Sequence, residues 1–287
     1  MNYWTVAVQI IESEKELHSI VQRLRLKKKR IGFVPTMGFL HEGHLSLVRR
    51  AKRKSDIVIV SIFVNPTQFG PREDFSRYPR NLKRDCAMLK REKVDFVFIP
   101  NVSEMYPNGL IANVNPGPLA RGLCGAKRPG HFKGVATVVK RLFEMVNPDV
   151  AIFGQKDFQQ ARVIQDMAKR LKLKAKIDIA PIVRERDGLA MSSRNVYLSK
   201  NNRKRAARIS ATLRFGKQLI AKGERSSSKI EREMTRSLKP FVDKIDYVKV
   251  VDARHLRRKA RMRGEMAILI ACFVGHTRLI DNLLIQV

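Results

Sequence analysis

Two histidines three residues apart, His41 and His44, open a helical pattern in which Leu45, Val48 and Ala51 share one face. They follow the apolar run Ile31-Gly32-Phe33-Val34, which reads as a short buried strand, and the turn Pro35-Thr36-Met37-Gly38-Phe39-Leu40. The start of a helix presents free backbone N–H groups and a positive dipole end, which suit phosphate. In an open parallel sheet such a crossing lies at the carboxyl end of a strand, where ligands bind. On a first helical turn the two imidazoles face the same way. Gly38 and Gly43 would let a nucleotide approach the backbone. His41-Glu42-Gly43-His44 has two other readings. It could be half of a metal site, but no further His or Cys cluster supplies the remaining ligands. It could be two polar residues capping a helix. The strand–turn–helix context favours phosphate.

The elements that must position these residues alternate. Residues 14–29 predict a helix with Leu17, Ile20, Val21 and Leu24 on one face. The run 57–64 reads as a strand buried on both faces and ends in Asn65-Pro66-Thr67-Gln68-Phe69. A helix over 81–92 and a strand over 95–100 follow. Residues 101–130 are rich in Pro and Gly and read as loop with a short strand. Next come a helix over 135–146, a strand over 150–153, a helix capped by Asp157 and a strand over 177–181. Strands alternating with helices argue for an α/β, Rossmann-like doubly wound parallel sheet over residues 1–183. Beyond it, helices over 200–222 and 227–238 and strands near 245–251, 266–274 and 277–285 predict a smaller C-terminal α+β lid domain, 184–287.

The chain has 287 residues and a net charge of +32. The excess is shared, +17 over residues 1–183 and +15 over 184–287, so no single basic tail exists. Charge alone would admit nucleic acid, but basic clusters interleaved with aromatics are missing. The reading is therefore no specific nucleic acid, and a positive field that attracts small anions. No apolar run is long enough to span a membrane. Residues 1–4 lack the basic region and long apolar core of a signal peptide. Cys86, Cys124 and Cys272 are far apart and odd in number, which points to buried free thiols and a cytoplasmic protein. His18, His131, His255 and His276 read as structural.

Four further segments carry candidate chemistry: Asn65 to Phe69, Arg128 to Val135, Gly154 to Gln160 and Arg186 to Asn195. With the histidine turn they resemble, in order and over nearly the whole chain, the pantothenate synthetase (pantoate–β-alanine ligase) family. That family carries the His-x-Gly-His element of the nucleotidyltransferase superfamily. The resemblance implies an enzyme in which pantoate carboxylate attacks the α-phosphorus of ATP, giving pantoyl adenylate and diphosphate. The amine of β-alanine then gives pantothenate and AMP. ATP enters as a substrate with Mg2+, and no prosthetic group is implied. The resemblance names His44, His41 and Lys156 as catalytic. It places Met37, Gly38, Phe39, Leu40, Glu42, Gly43, Gly154, Gln155, Asp157, Val183, Met191, Ser192, Ser193 and Arg194 with them around ATP. Gln68 and Gln160 match the pantoate-binding amides, and Arg128 is a candidate for β-alanine or phosphate. No protein metal site is implied, and a homodimer is.

Overall fold

The structure is a computed structural model that describes residues 8–287, so the signal-peptide reading on residues 1–4 lies outside it. Six parallel strands form the main sheet: β1 (Gln9–Ile11), β2 (Ile31–Thr36), β3 (Ile57–Ile62), β4 (Phe96–Phe98), β5 (Val150–Gly154) and β6 (Lys176–Ala180). The helices among them are α1 (Glu14–Leu26), α2 (Glu42–Lys52), α3 (Leu82–Arg91), α4 (Val102–Met105), α5 (Leu123–Lys127), α6 (His131–Val146) and α7 (Phe158–Arg170). Local chemistry sets several of these ends. Ser13 caps α1 by accepting the Glu16 N–H at 3.2 Å. Glu14 and Glu16 in its first turn, and Arg23 and Arg25 in its last, suit the helix dipole.

The strands alternate between two covered faces. Phe33 and Ile59 pack on one side with Leu17, Val139 and Leu142 of α1 and α6. Val34 and Val60 pack on the other with Val48 and Leu89 of α2 and α3. Burial on both faces explains why β2 and β3 read as continuous apolar runs. The strand order is β1-β4-β3-β2-β5-β6. The chain therefore winds outward from β2 to one side, then returns and winds from β5 to the other. The reversal between β2 and β5 is the topological switch point, where the loops diverge and leave a crevice.

The second part holds α8 (Lys200–Ala206), α9 (Arg208–Ala221), α10 (Ser227–Leu238) and an antiparallel sheet of β7 (Lys244–Asp252), β8 (Glu265–Val274) and β9 (Thr277–Gln286) in that order. Ile209, Leu213, Ile230 and Met234 pack on Val250, Ile268 and Ile270. The expected fold class holds. Its details differ in places. β1 was not foreseen, because in a three-residue edge strand with only Ile11 buried no alternation can show. Residues 101–130 contain α4, α5 and a 3₁₀ turn at Pro118–Ala120 rather than a strand. α6 begins at His131, since His131 and Phe132 are already buried. The helix expected over 200–222 is broken at Ala207, where no Pro or Gly marks the break.

Candidate active site

The switch-point crevice holds a cavity of about 210 Å3 lined by Met37, His41, Gly43, His44, Gln68, Gly154, Lys156, Asp157, Gln160, Val183 and Met191 to Arg194. These residues come from four separate stretches of chain, and most were singled out from sequence.

The β2–α2 turn is held in place by its own domain. Buried Asp85 on α3 accepts the Phe39 N–H at 2.7 Å and the Leu40 N–H at 2.8 Å. Phe39 sits at φ +49°, so this turn depends on those two bonds. His41 and His44 then cap α2 reciprocally. His41 Nδ1 accepts the Gly43 N–H at 3.2 Å, and His44 Nδ1 accepts the His41 N–H at 3.3 Å. The ring centroids lie 4.1 Å apart. A Cβ on residue 43 would stand 2.8 Å from the His41 ring, so Gly43 serves the imidazole packing before it serves any ligand.

Burial governs the charge of both rings. Desolvation, with the nearby Lys156 charge next, lowers the His41 pKa to about 4. Desolvation, then His41 and Lys156, lowers His44 well below the usual value. Both imidazoles are neutral near pH 7. With each Nδ1 used as an acceptor, the single proton of each ring resides on Nε2, a donor on a ring that lines the cavity.

Gln68 ends a 3₁₀ turn (Pro66–Gln68) after β3. A Cβ on Gly134 would stand 2.3 Å from the Thr67 carbonyl, so α6 and this turn meet only because residue 134 is glycine. Asn65 orients the Gln68 amide by donating Nδ2 to Gln68 Oε1 at 3.3 Å, and Asn65 Oδ1 in turn accepts the Tyr106 hydroxyl at 2.5 Å. Gln160 lines the cavity from α7. Lys156 sits in the β5–α7 turn with Nζ 3.7 Å from Asp157 Oδ1. Asp157 occupies the N-cap position of α7, as expected, but its side chain makes no capping bond.

The second part closes the cavity through the segment after Val183. Arg184 and Ala190 pair in a short hairpin, and the Met191 N–H donates to the Val183 carbonyl at 3.0 Å. Ser193 Oγ donates to the Phe39 carbonyl at 3.1 Å, joining this segment to the β2–α2 turn. Ser192 Oγ accepts the Arg194 N–H at 3.3 Å. The Arg194 guanidinium is bidentate with Asp74, both contacts at 2.8 Å, and lies 5.3 Å from the Tyr78 ring centroid.

Some expected residues face elsewhere. The Glu42 carboxylate pairs with Arg49. Phe39 and Leu40 line a neighbouring cavity with Arg84 and Glu185, and Gly38 is tied to Thr36 Oγ1 through its N–H at 3.1 Å. Gln155 turns toward Asn282. Arg128 is bidentate with Glu73 at 2.7 and 2.6 Å and lines a small cavity of about 40 Å3 between the two parts, beside Lys156 and Gln160. His131, expected to be structural, is buried, which lowers its pKa to about 4, and its Nδ1 lies 2.8 Å from the Gln68 carbonyl. Cys124 and Cys272 are buried, whereas Cys86 is only half-buried. Sequence reasoning missed Asp74, Tyr78, Asp85 and Asn282. Asn65 stood inside a segment already singled out, but the others carry no local signal.

The profile of the pantoate–β-alanine ligase family matches residues 9–284. The chain belongs to this family. It is 52% identical over 278 residues to the pantothenate synthetase of Thermosipho melanesiensis, covering 97% of this chain and 99% of that protein. It is 51% identical over 279 residues to that of Fervidobacterium nodosum, covering 97% and 100%. Among solved structures, the Thermus thermophilus pantothenate synthetase superposes with a TM-score of 0.90 at 43% identity, over 96% of this chain and 99% of that one. The Francisella tularensis pantoate–β-alanine ligase, complexed with β,γ-ATP and β-alanine, superposes with a TM-score of 0.82 at 35% identity, over 97% and 98%. The protein is thus an acid–amine ligase that forms pantothenate, and the six-stranded sheet with its small antiparallel companion is the architecture of the family.

Proposed function

We propose that the switch-point crevice joins pantoate to β-alanine in two steps through pantoyl adenylate, releasing diphosphate and then AMP. The observation that carries this reading is the placement of two neutral imidazole donors and one ammonium at the same switch point. Phosphoryl transfer calls for positioning and charge stabilisation more than for covalent help. The Nε2–H groups of His41 and His44 donate to phosphate oxygens, and Lys156 adds a point charge as diphosphate leaves. A Cβ on Gly154 would meet nothing within 4 Å, which leaves room for a nucleoside against that strand end. Val183 and Met191 border the same space, with Asp157 at its rim. Ser192, Ser193 and Arg194 complete the phosphate contacts from above, Arg194 exchanging Asp74 for phosphate.

Gln68 and Gln160 hold pantoate. Neutral amides orient its carboxylate without the bidentate charge pairing that would quench the nucleophile. Arg128, in the small cavity beside Lys156 and Gln160, is the candidate for contact with β-alanine or phosphate. Mg2+ bound to the ATP phosphates would enter with the substrate and would supply neutralisation of phosphate charge. We place the domain boundary between Val183 and Arg184, so that the Met191–Arg194 segment belongs to the lid. The three cysteines are free, which suits a reducing cytoplasm, and among the described residues no helix is long and apolar enough to cross a membrane. A homodimer and the absence of specific nucleic-acid binding complete the reading.

The test is product analysis. Pantoate with MgATP and no amine should release diphosphate in a burst of about one per site, and β-alanine should then release AMP and pantothenate. Formation of ADP and inorganic phosphate would mean attack at the γ-phosphorus and would end the adenylate scheme.

A further inference from the structure

The β5–α7 turn carries Lys156, yet nothing in its own domain caps it. Neither the 3₁₀ turn Gln155–Asp157 nor the start of α7 has a side-chain cap. Its partner lies on β9, the edge strand of the other sheet. Asn282, only 2% exposed, donates Nδ2 to the Gln155 carbonyl at 2.9 Å and to the Lys156 carbonyl at 3.0 Å. Its Oδ1 accepts Gln155 Nε2 at 3.1 Å. All hydrogen-bonding capacity of the amide nitrogen is thus spent on this one turn. The residue before it does the complementary task. Asp281 holds Arg184 in a bidentate pair at 2.6 and 3.0 Å, and Arg184 forms the base of the hairpin that leads to Ser192, Ser193 and Arg194. Successive residues of one strand therefore anchor both groups that face each other across the cavity.

We propose that Asn282 is a positioning residue for adenylation. It fixes where the Lys156 ammonium stands relative to the Ser192–Arg194 segment that Asp281 anchors. The proposal rests on the reading of Lys156 as a phosphate contact. Displacement of a charged group by about 1 Å can cost on the order of 10²-fold in rate.

The experiment measures single-turnover diphosphate release from MgATP and pantoate, and separately the aminolysis of supplied pantoyl adenylate by β-alanine. Asn282→Ala should slow the first by about 10- to 100-fold and leave the second within about threefold. Asn282→Asp keeps the shape but cannot donate to two carbonyls, and it should behave alike. Gln155→Ala weakens the same link without touching β9, so it answers for any Asn282 variant that fails to fold. The loss should vanish when Lys156→Ala is already present, because a residue that acts through Lys156 has nothing left to position. Unchanged diphosphate release in the folded variants overturns the proposal. So does an equal loss in the Lys156→Ala background, or an equal slowing of both steps, since either marks a merely structural role. Normal diphosphate release by Lys156→Ala alone would remove the reading of Lys156 itself, and the positioning role with it.

Discussion

Two strand-to-helix turns meet at the switch point, and they are built in opposite ways. The β2–α2 turn is closed by its own domain: Asp85 takes two of its N–H groups and the two histidines cap each other. The β5–α7 turn has no cap of its own and is closed by Asn282 from the other sheet. The groups they present differ accordingly. The first offers neutral, half-buried imidazoles in one fixed tautomer. The second offers a lysine whose turn is held from the other part of the chain. Fixed neutral donors suit phosphates that must be held in every turnover. A charge whose turn is bonded across an interface depends on how the two sheets pack.

The comparison can be broken in several places. The largest effect should come from the self-contained turn. His44→Ala removes a donor that the fold has already oriented, so diphosphate release should fall by about 10²- to 10³-fold with the fold kept. Near-normal turnover, measured with folding checked by circular dichroism, would show that the imidazole is only a cap.

Asp85→Ala should cost about 3 kcal/mol in urea unfolding, because two buried N–H groups lose a charged acceptor. A loss below about 0.5 kcal/mol would mean that the turn holds itself without α3.

Acid should act on the same turn and on the start of α6. His41 and His131 have folded pKa values of about 4, and His44 is also lowered, against an ordinary value of 6.5. Below pH 6.5 the unfolded chain takes up protons that the folded protein does not. Stability is therefore complete above about pH 6.5 and is lost as pH falls toward 4, by up to about 1.4 kcal/mol per pH unit for each ring. Equal unfolding free energies at pH 7 and pH 5, or assigned resonances of His41, His44 and His131 that titrate near 6.5, would contradict this.

The smallest effect is expected from the thiols. An adenylate route needs no acyl-enzyme, so Cys86→Ala, Cys124→Ala and Cys272→Ala should keep full activity. Their cost should be a packing loss of about 1 kcal/mol at Cys272, which is fully buried, and less at Cys86. Loss of the burst in any of them would reopen covalent catalysis.

The parallel sheet was legible because strands buried on both faces must be apolar throughout, as in β2 and β3. The histidine turn, Gln68, Lys156 and the Met191–Arg194 segment stand out only together, because their segments follow one another in the order of a known family, and the structure brings them to one cavity. Asp157 shows the limit of that reasoning: the sequence put a capping residue at the right position, and the structure gives its carboxylate no capping bond. Glu42 shows another, since a seven-residue spacing let Arg49 take its carboxylate.

What the sequence alone determined was the alternation of strands and helices, the sites of the turns, and the residue types available to meet phosphate. These depend on local periodicity, caps and glycines, which neighbouring residues express directly. Tertiary structure decided the protonation and tautomer of His41 and His44, the pairing of Arg194 with Asp74 and of Arg128 with Glu73, and the anchoring of Lys156. Asp85 reaches Phe39 across 46 positions and Asn282 reaches Gln155 across 127. Separations of that size leave no periodic trace in the chain, and the burial that sets a pKa exists only once both sheets are packed around the crevice.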